Sequence, residues 1–188
     1  MRILTMGINN INPNKFQTAG KCMLNKPFFG LWGSTLYKTA DNKIFSSWLE
    51  FVEGNEFYID KYSKGISYTL HKNAKIYTVD SYESYIKLLS RYPLIEYENT
   101  ELEKCNVDWD AFKRDYDAFH LTEDAFYNLR MIMYEYAFIN GKEIRIADMY
   151  AYDCETWIIF NLDVVNKGSI QNVSVKLHKV ESEVDIYQ

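Results

Sequence analysis

The chain has 188 residues, a length that suits one domain. Hydrophobic residues make up 47% and charged residues 25%, which excludes disorder, collagen-like repeats and a coiled coil. A net charge of -5 supplies no field that would draw the protein to nucleic acid or to an anionic membrane, so neither is an expected partner.

Glycine (8) and proline (3) are scarce while 16% of residues are aromatic, which favours a sheet-rich core or an aromatic-lined cleft. The Tyr-, Asn-, Lys- and Ile-rich vocabulary points to an AT-rich bacterial or phage genome. Cys22, Cys105 and Cys154 are widely spaced with no CxxC, so neither a disulfide framework nor a zinc site is expected. MRILTMGINN lacks the apolar core of a signal peptide, and the expected compartment is reducing and cytoplasmic.

In chain order, residues 1–7 read as a short strand and 8–27 as a polar loop ending at Pro27. Phe28 to Thr35 reads as a buried strand, with Gly30 and Gly33 allowing close backbone approach. Ser47 with Glu50 forms a capping box opening a short helix that Gly54 closes. Residues 65–70 and 75–79 read as a hairpin around HKNA. Asp80 with Glu83 opens a helix whose stripe is Tyr82, Tyr85, Ile86 and Leu89, and Pro93 bars its continuation.

Residues 94–107 are acidic and read as irregular. Asp108 caps a helix to about Tyr116, and 118–121 is a short strand. Thr122 then caps what reads as the longest helix, running to about Ile139 on a stripe of Phe126, Leu129, Met133 and Tyr136, with Asn140-Gly141 as its stop. Strands follow at 143–147, 156–160 and 173–177. Strands bracket clustered helices, so the expected class is a single α+β domain over 1–188.

Familiar chemistry is excluded motif by motif. The chain has no HExxH, GxSxG, GxxxxGK[ST] or GxGxxG, and the three histidines lack second ligands at metal spacing. His71 and His178 read as solvated, and His120 as a satisfied core residue.

Two segments stand out. In Asn25-Lys26-Pro27-Phe28-Phe29-Gly30-Leu31-Trp32-Gly33-Ser34-Thr35, followed by Ser46-Ser47-Trp48, glycines, indoles and small hydroxyls surround a strand end and a helix start. Flat indoles stack on planar rings and free N–H groups suit phosphate. The competing reading makes Trp32 and Trp48 core residues and Ser47 an N-cap. In Tyr152-Asp153-Cys154-Glu155-Thr156-Trp157-Ile158-Ile159-Phe160, two acids sit at the mouth of an apolar strand, either to meet a ligand hydroxyl or simply as turn residues.

Taken in order, these segments resemble the ADP-ribosyltransferase-like superfamily, which includes poly-ADP-ribose polymerases, bacterial mono-ADP-ribosyltransferase toxins and RES-type NAD-degrading toxins. The middle motif is matched by Gly30-Leu31-Trp32-Gly33-Ser34 with Ser47-Trp48, and the late glutamate by Glu155. The resemblance implies packed, mostly antiparallel sheets with flanking helices and a cleft for NAD. It implies that NAD is the substrate, with no metal, and that a protein is a possible acceptor. It casts the chain as a toxin or host-modifying effector.

On that resemblance Glu155 is the catalytic carboxylate, stabilising an oxocarbenium-like transition state as nicotinamide leaves. Trp32 and Trp48 wall the nicotinamide, Gly30 and Leu31 read its amide, Ser34 and Ser47 fix polar groups, and Arg2 or Lys26 meets the pyrophosphate. Two other readings stand beside it. One is a non-enzymatic phage or bacterial protein binding a host partner through an acidic, Tyr-rich surface. The other is a transferase fold that binds a nucleotide without turnover.

Overall fold

The structure is a computed structural model, which describes residues 1–13, 25–27, 29–38, 44–55, 63–99, 102–132 and 134–175. The expectations for Cys22, Phe28, His178 and the end of the 173–177 strand lie outside those residues.

Among the described residues the fold is a mixed α/β domain of two sheets and four α-helices. The larger sheet is built on β1 (Arg2–Met6), which pairs antiparallel with β2 (Leu31–Lys38) on one side and β4 (Lys64–Tyr68) on the other. Beyond β2 come β11 (Thr156–Ile159), β8 (Ala118–Leu121) and β5 (Ile76–Val79). Beyond β4 comes β12 (Gln171–Ser174), and short β3 (Ile44–Phe45) pairs with the end of β2. Every pair is antiparallel except β5 with β8. The smaller sheet runs β6 (Pro93–Asn99), β7 (Leu102–Val107), β10 (Lys142–Ile146), β9 (Tyr136–Ile139), with β7 and β10 parallel.

Helix α2 (Tyr82–Arg91) lies between the sheets, touching β5 of the larger and β6, β7 and β9 of the smaller. Its buried Tyr85, Leu88 and Leu89 recur at helical spacing, and burial of each leucine contributes about 1.5–3 kcal/mol. The core there joins them to Val79, Phe119, Leu121 and Ile158 of the larger sheet and to Cys105, Ile144 and Ile146 of the smaller. The opposite face of the larger sheet buries Ile3, Leu31, Trp157 and Ile159 under the 162–170 segment, through Val164 and Val165.

Several expectations are corrected. The 65–70 and 75–79 segments are strands but not a hairpin: β4 joins β1 and β12, whereas β5 crosses over to lie parallel to β8. Leu70 and Ala74 pack on the sheet face during that crossing. The expected 122–139 helix stops early, as α4 (Glu123–Leu129), and the longest helix among the described residues is α2. Tyr136–Ile139 is instead a strand paired with β10 through Asn140 (φ 52°) and Gly141 (φ 83°). Asn-Gly with both φ positive is the two-residue hairpin turn, so the dipeptide marked a β-turn and not a helix stop.

The 94–107 stretch is the β6–β7 hairpin; its charges hid the pattern, but they pair across strands, Glu96 with Asn106 and Glu103 with Lys142. The 143–147 strand belongs to the smaller sheet and not to the sheet holding β11. At α2 the capping pair is Ser81 with Ser84, one residue after the Asp80–Glu83 pair expected. Helix α3 (Trp109–Asp115), capped by Asp108, is as expected. No described helix is long and apolar enough to cross a membrane.

Candidate active site

The larger sheet frames a cavity of about 410 Å³ where β1 ends and β2 begins beside helix α1 (Ser47–Glu53). That volume falls within the roughly 300–1,000 Å³ of small-molecule sites. Leu4 and Met6 of β1 form its apolar floor together with Trp48 and Phe51 of α1, whose rings stack at 5.2 Å. Gly30, Leu31, Trp32 and Gly33 form one wall, and Lys26, Asp153, Cys154 and Thr156 the other.

Gly30 sits at φ +108°, and a Cβ there would lie 2.6 Å from Ile158 Cγ2, so only glycine carries the chain into β2 this way. Past the Leu4–Ser34 pair the β1–β2 ladder gives way to a side chain: Thr5 Oγ1 donates to the Trp32 carbonyl at 2.7 Å.

Lys26 reaches the cavity because Asn25, itself at φ 61°, ties this segment to the neighbouring elements. Its Nδ2 donates to Tyr85 Oη (2.8 Å), its Oδ1 accepts from Val107 N–H (2.9 Å), and its carbonyl accepts from Trp109 and Tyr152. Lys26 Nζ then donates to the Ala151 carbonyl at 3.0 Å and pairs with Asp153 at 3.4 Å, lying 4.9 Å above the Trp32 ring. The ammonium is thus held over an aromatic face while still partly exposed.

Glu155 is 3% exposed and does not line this cavity, although Cys154 and Thr156 on either side of it do. Its carboxylate stands in the gap where the β2–β11 ladder ends and collects five donors. Oε1 accepts from Thr35 Oγ1 (2.6 Å), His120 Nε2 (2.8 Å) and Trp157 Nε1 (3.0 Å). Oε2 accepts from Thr35 N–H (2.8 Å) and Ser47 Oγ (3.4 Å). Burial alone would raise the carboxyl's pKa, but the bonds from His120 and Thr35 outweigh it and hold the group below the usual glutamate value. Glu155 is therefore an anion at neutral pH.

Of the residues singled out in the sequence, Lys26, Gly30, Leu31, Trp32 and Trp48 come together at the cavity. Ser34 lies buried beneath, hydrogen-bonded to Ser46, which stands at the N-cap position of α1 without a capping side-chain bond, so the capping box expected of Ser47 with Glu50 does not form. Ser47 is instead the first residue of the helix and turns its hydroxyl to Glu155. Arg2 stays apart, its guanidinium bonded to Ser67 and to the Ser169 carbonyl at a second cavity. His120 is satisfied, as expected, but by Glu155 and by stacking on Trp157 at 4.0 Å.

Sequence reading missed Thr5, and it included Asn25 and Thr35 in the singled-out segment without their roles, which arise only from register and long-range ties. Cys154 faces the cavity, yet burial and then the neighbouring Glu155 and Asp153 charges push its thiol far up, which disfavours the thiolate that a nucleophile needs. Among the described residues no group of three or more His, Cys, Asp or Glu side chains is placed to hold a metal. Comparison of the chain with family models, with curated proteins and with solved structures returns no match.

Proposed function

We propose that this chain is an ADP-ribosyltransferase-like protein of bacterial or phage origin that binds NAD at the β1–β2–α1 cavity and releases nicotinamide from it. The observation that carries the reading is convergence: Lys26, Gly30, Leu31 and Trp32 of one singled-out segment and Trp48 of the next line one cavity. An indole face attracts the cationic nicotinamide ring, and Lys26, held by a carbonyl and a single carboxylate, offers its ammonium to the pyrophosphate. Arg2 is too occupied at its own cavity to share that task.

In this reading the ribose–nicotinamide bond breaks with both electrons leaving on the nicotinamide nitrogen, which departs neutral. The ribosyl cation left behind is stabilised by the Glu155 carboxylate, then captured by water or by an acceptor side chain whose proton passes to solvent. A second reading, NAD binding without turnover, draws on the burial and five donors of Glu155. The interaction-protein reading takes over if NAD does not bind; its surface would be the exposed Tyr97, Tyr134, Tyr136 and Phe138.

Calorimetric titration with NAD tests the proposal. The wild-type protein is expected to bind, and Trp32→Ala to weaken binding at least about tenfold through the lost stacking face, with circular dichroism as the folding control. Absence of binding by a folded wild-type protein sinks it.

A further inference from the structure

We infer that His120 is the positioning residue that locks one oxygen of Glu155, leaving the other as the oxygen presented to a ligand hydroxyl; the reaction it serves rests on the NAD reading above, the geometry does not. The two oxygens are unequal. Oε1 receives three donors at 2.6–3.0 Å, which fills the lone pairs of one carboxylate oxygen. Oε2 receives one good bond, from the Thr35 main chain at 2.8 Å, and one long contact from Ser47 at 3.4 Å. Ser47 is the first residue of α1, and Trp48 beside it lines the cavity, so Oε2 is the oxygen turned toward α1. A hydroxyl arriving there replaces the long Ser47 contact and leaves the Thr35 bond in place.

The lock works because its parts cannot swing. His120 lies opposite Trp157 in the β8–β11 register, and the two rings stack nearly parallel at 13°, fixing the imidazole plane. Trp157 and Thr35 are themselves strand residues, and Trp157 Nε1 also donates to Thr35 Oγ1 at 3.0 Å. His120 does not line the cavity, and it acts through Glu155.

The other titratable groups around the pair are Glu50 of α1 and Glu123 at the start of α4, with Asp153, Cys154 and Lys26 on the approach to β11. Burial and the charges of Glu50 and Glu155 raise the Glu123 carboxyl, so this neighbourhood opposes negative charge. Among the bonds that keep Glu155 ionised against it, the one from His120 does the most.

The test compares His120→Phe, which keeps a ring to stack on Trp157 and removes the donor, with His120→Gln, which restores an N–H near the position of Nε2. The Glu155 carboxyl is titrated by carbon NMR, its signal identified by loss in Glu155→Gln, and nicotinamide release is followed against pH. In His120→Phe the carboxyl is expected to titrate at higher pH than in wild type, and kcat to fall about tenfold with little change in KM. The acid limb of the rate profile then moves to higher pH, because the working form is the carboxylate. His120→Gln is expected to return the titration and the limb toward wild type. Ser47→Ala, which clears Oε2, is expected to lower KM; a raised KM contradicts its role as a placeholder. If the carboxyl of folded His120→Phe titrates where wild type does, the inference is overturned. If wild type releases no nicotinamide but the carboxyl shift is present, the NAD reading falls and the lock stands.

Discussion

Glutamine in place of Glu155 keeps the side chain's shape while removing its charge and one acceptor, so its cost can be read from the five donors. Turned one way, the new amide N–H group meets the Thr35 main-chain N–H, a donor at 2.8 Å that cannot reorient. Turned the other way, it meets Trp157 Nε1, which still has Thr35 Oγ1 to donate to at 3.0 Å, while the Thr35 hydroxyl and the His120 ring can rearrange to accept. The second orientation wins. What remains lost is the charge on two or three buried bonds, about 1 kcal/mol each and so about 2–3 kcal/mol in all.

For a domain of 188 residues each kcal/mol moves the melting temperature by about 2–4 °C, giving a drop of about 4–12 °C at pH 7. The pH dependence has a definite sign. The folded-state pKa of Glu155 lies below its ordinary 4.5, so its contribution is complete above that value and is lost as pH falls through the folded value. The gap between wild type and Glu155→Gln should therefore narrow on acidification below about pH 4.5. Thermal denaturation by circular dichroism from pH 7 to pH 3 reads both. Equal melting temperatures at pH 7, or a gap that widens in acid, would refute the keystone role.

Gly141→Ala places a Cβ in open space but at φ +83°, so it should cost about 1 kcal/mol of strain alone, and a melting temperature shifted by less than 1 °C would contradict the β9–β10 turn geometry. Burial pushes the Cys105 thiol up to about 11 and raises Cys154 further. In a Cys22→Ser background neither thiol should react with a disulfide reagent at pH 8 until the protein unfolds; prompt stoichiometric labelling would contradict their burial.

Much of the fold was legible where one local signal decided the outcome. Asp108 with the helix it caps, the AFHL strand, and the apolar TWII run all formed as their patterns suggest. The failures share a cause, since each needed a partner that local pattern does not name. The β6–β7 hairpin carries its charges outward in cross-strand pairs, and YAFI has helical spacing but finds β10 across an Asn-Gly turn. Likewise β5 chose a parallel partner more than thirty-five residues away over its neighbour β4.

The site divides the same way. An acid before an apolar strand, and indoles near glycines, can be seen in sequence. That Thr35, Ser47, His120 and Trp157 all donate to that acid depends on four separate elements meeting, and no spacing encodes it. The same register sets Glu155 beside the cavity and not in it, a distinction of one residue along β11.

The most direct measurement is a crystal structure of the protein soaked with NAD. Density for the nicotinamide end is expected inside the β1–β2–α1 cavity, against Trp32 or Trp48, with the pyrophosphate at Lys26 and a ribose hydroxyl at Glu155 Oε2 where Ser47 now sits. A cavity left empty at saturating NAD, or density bound elsewhere on the molecule, would contradict it.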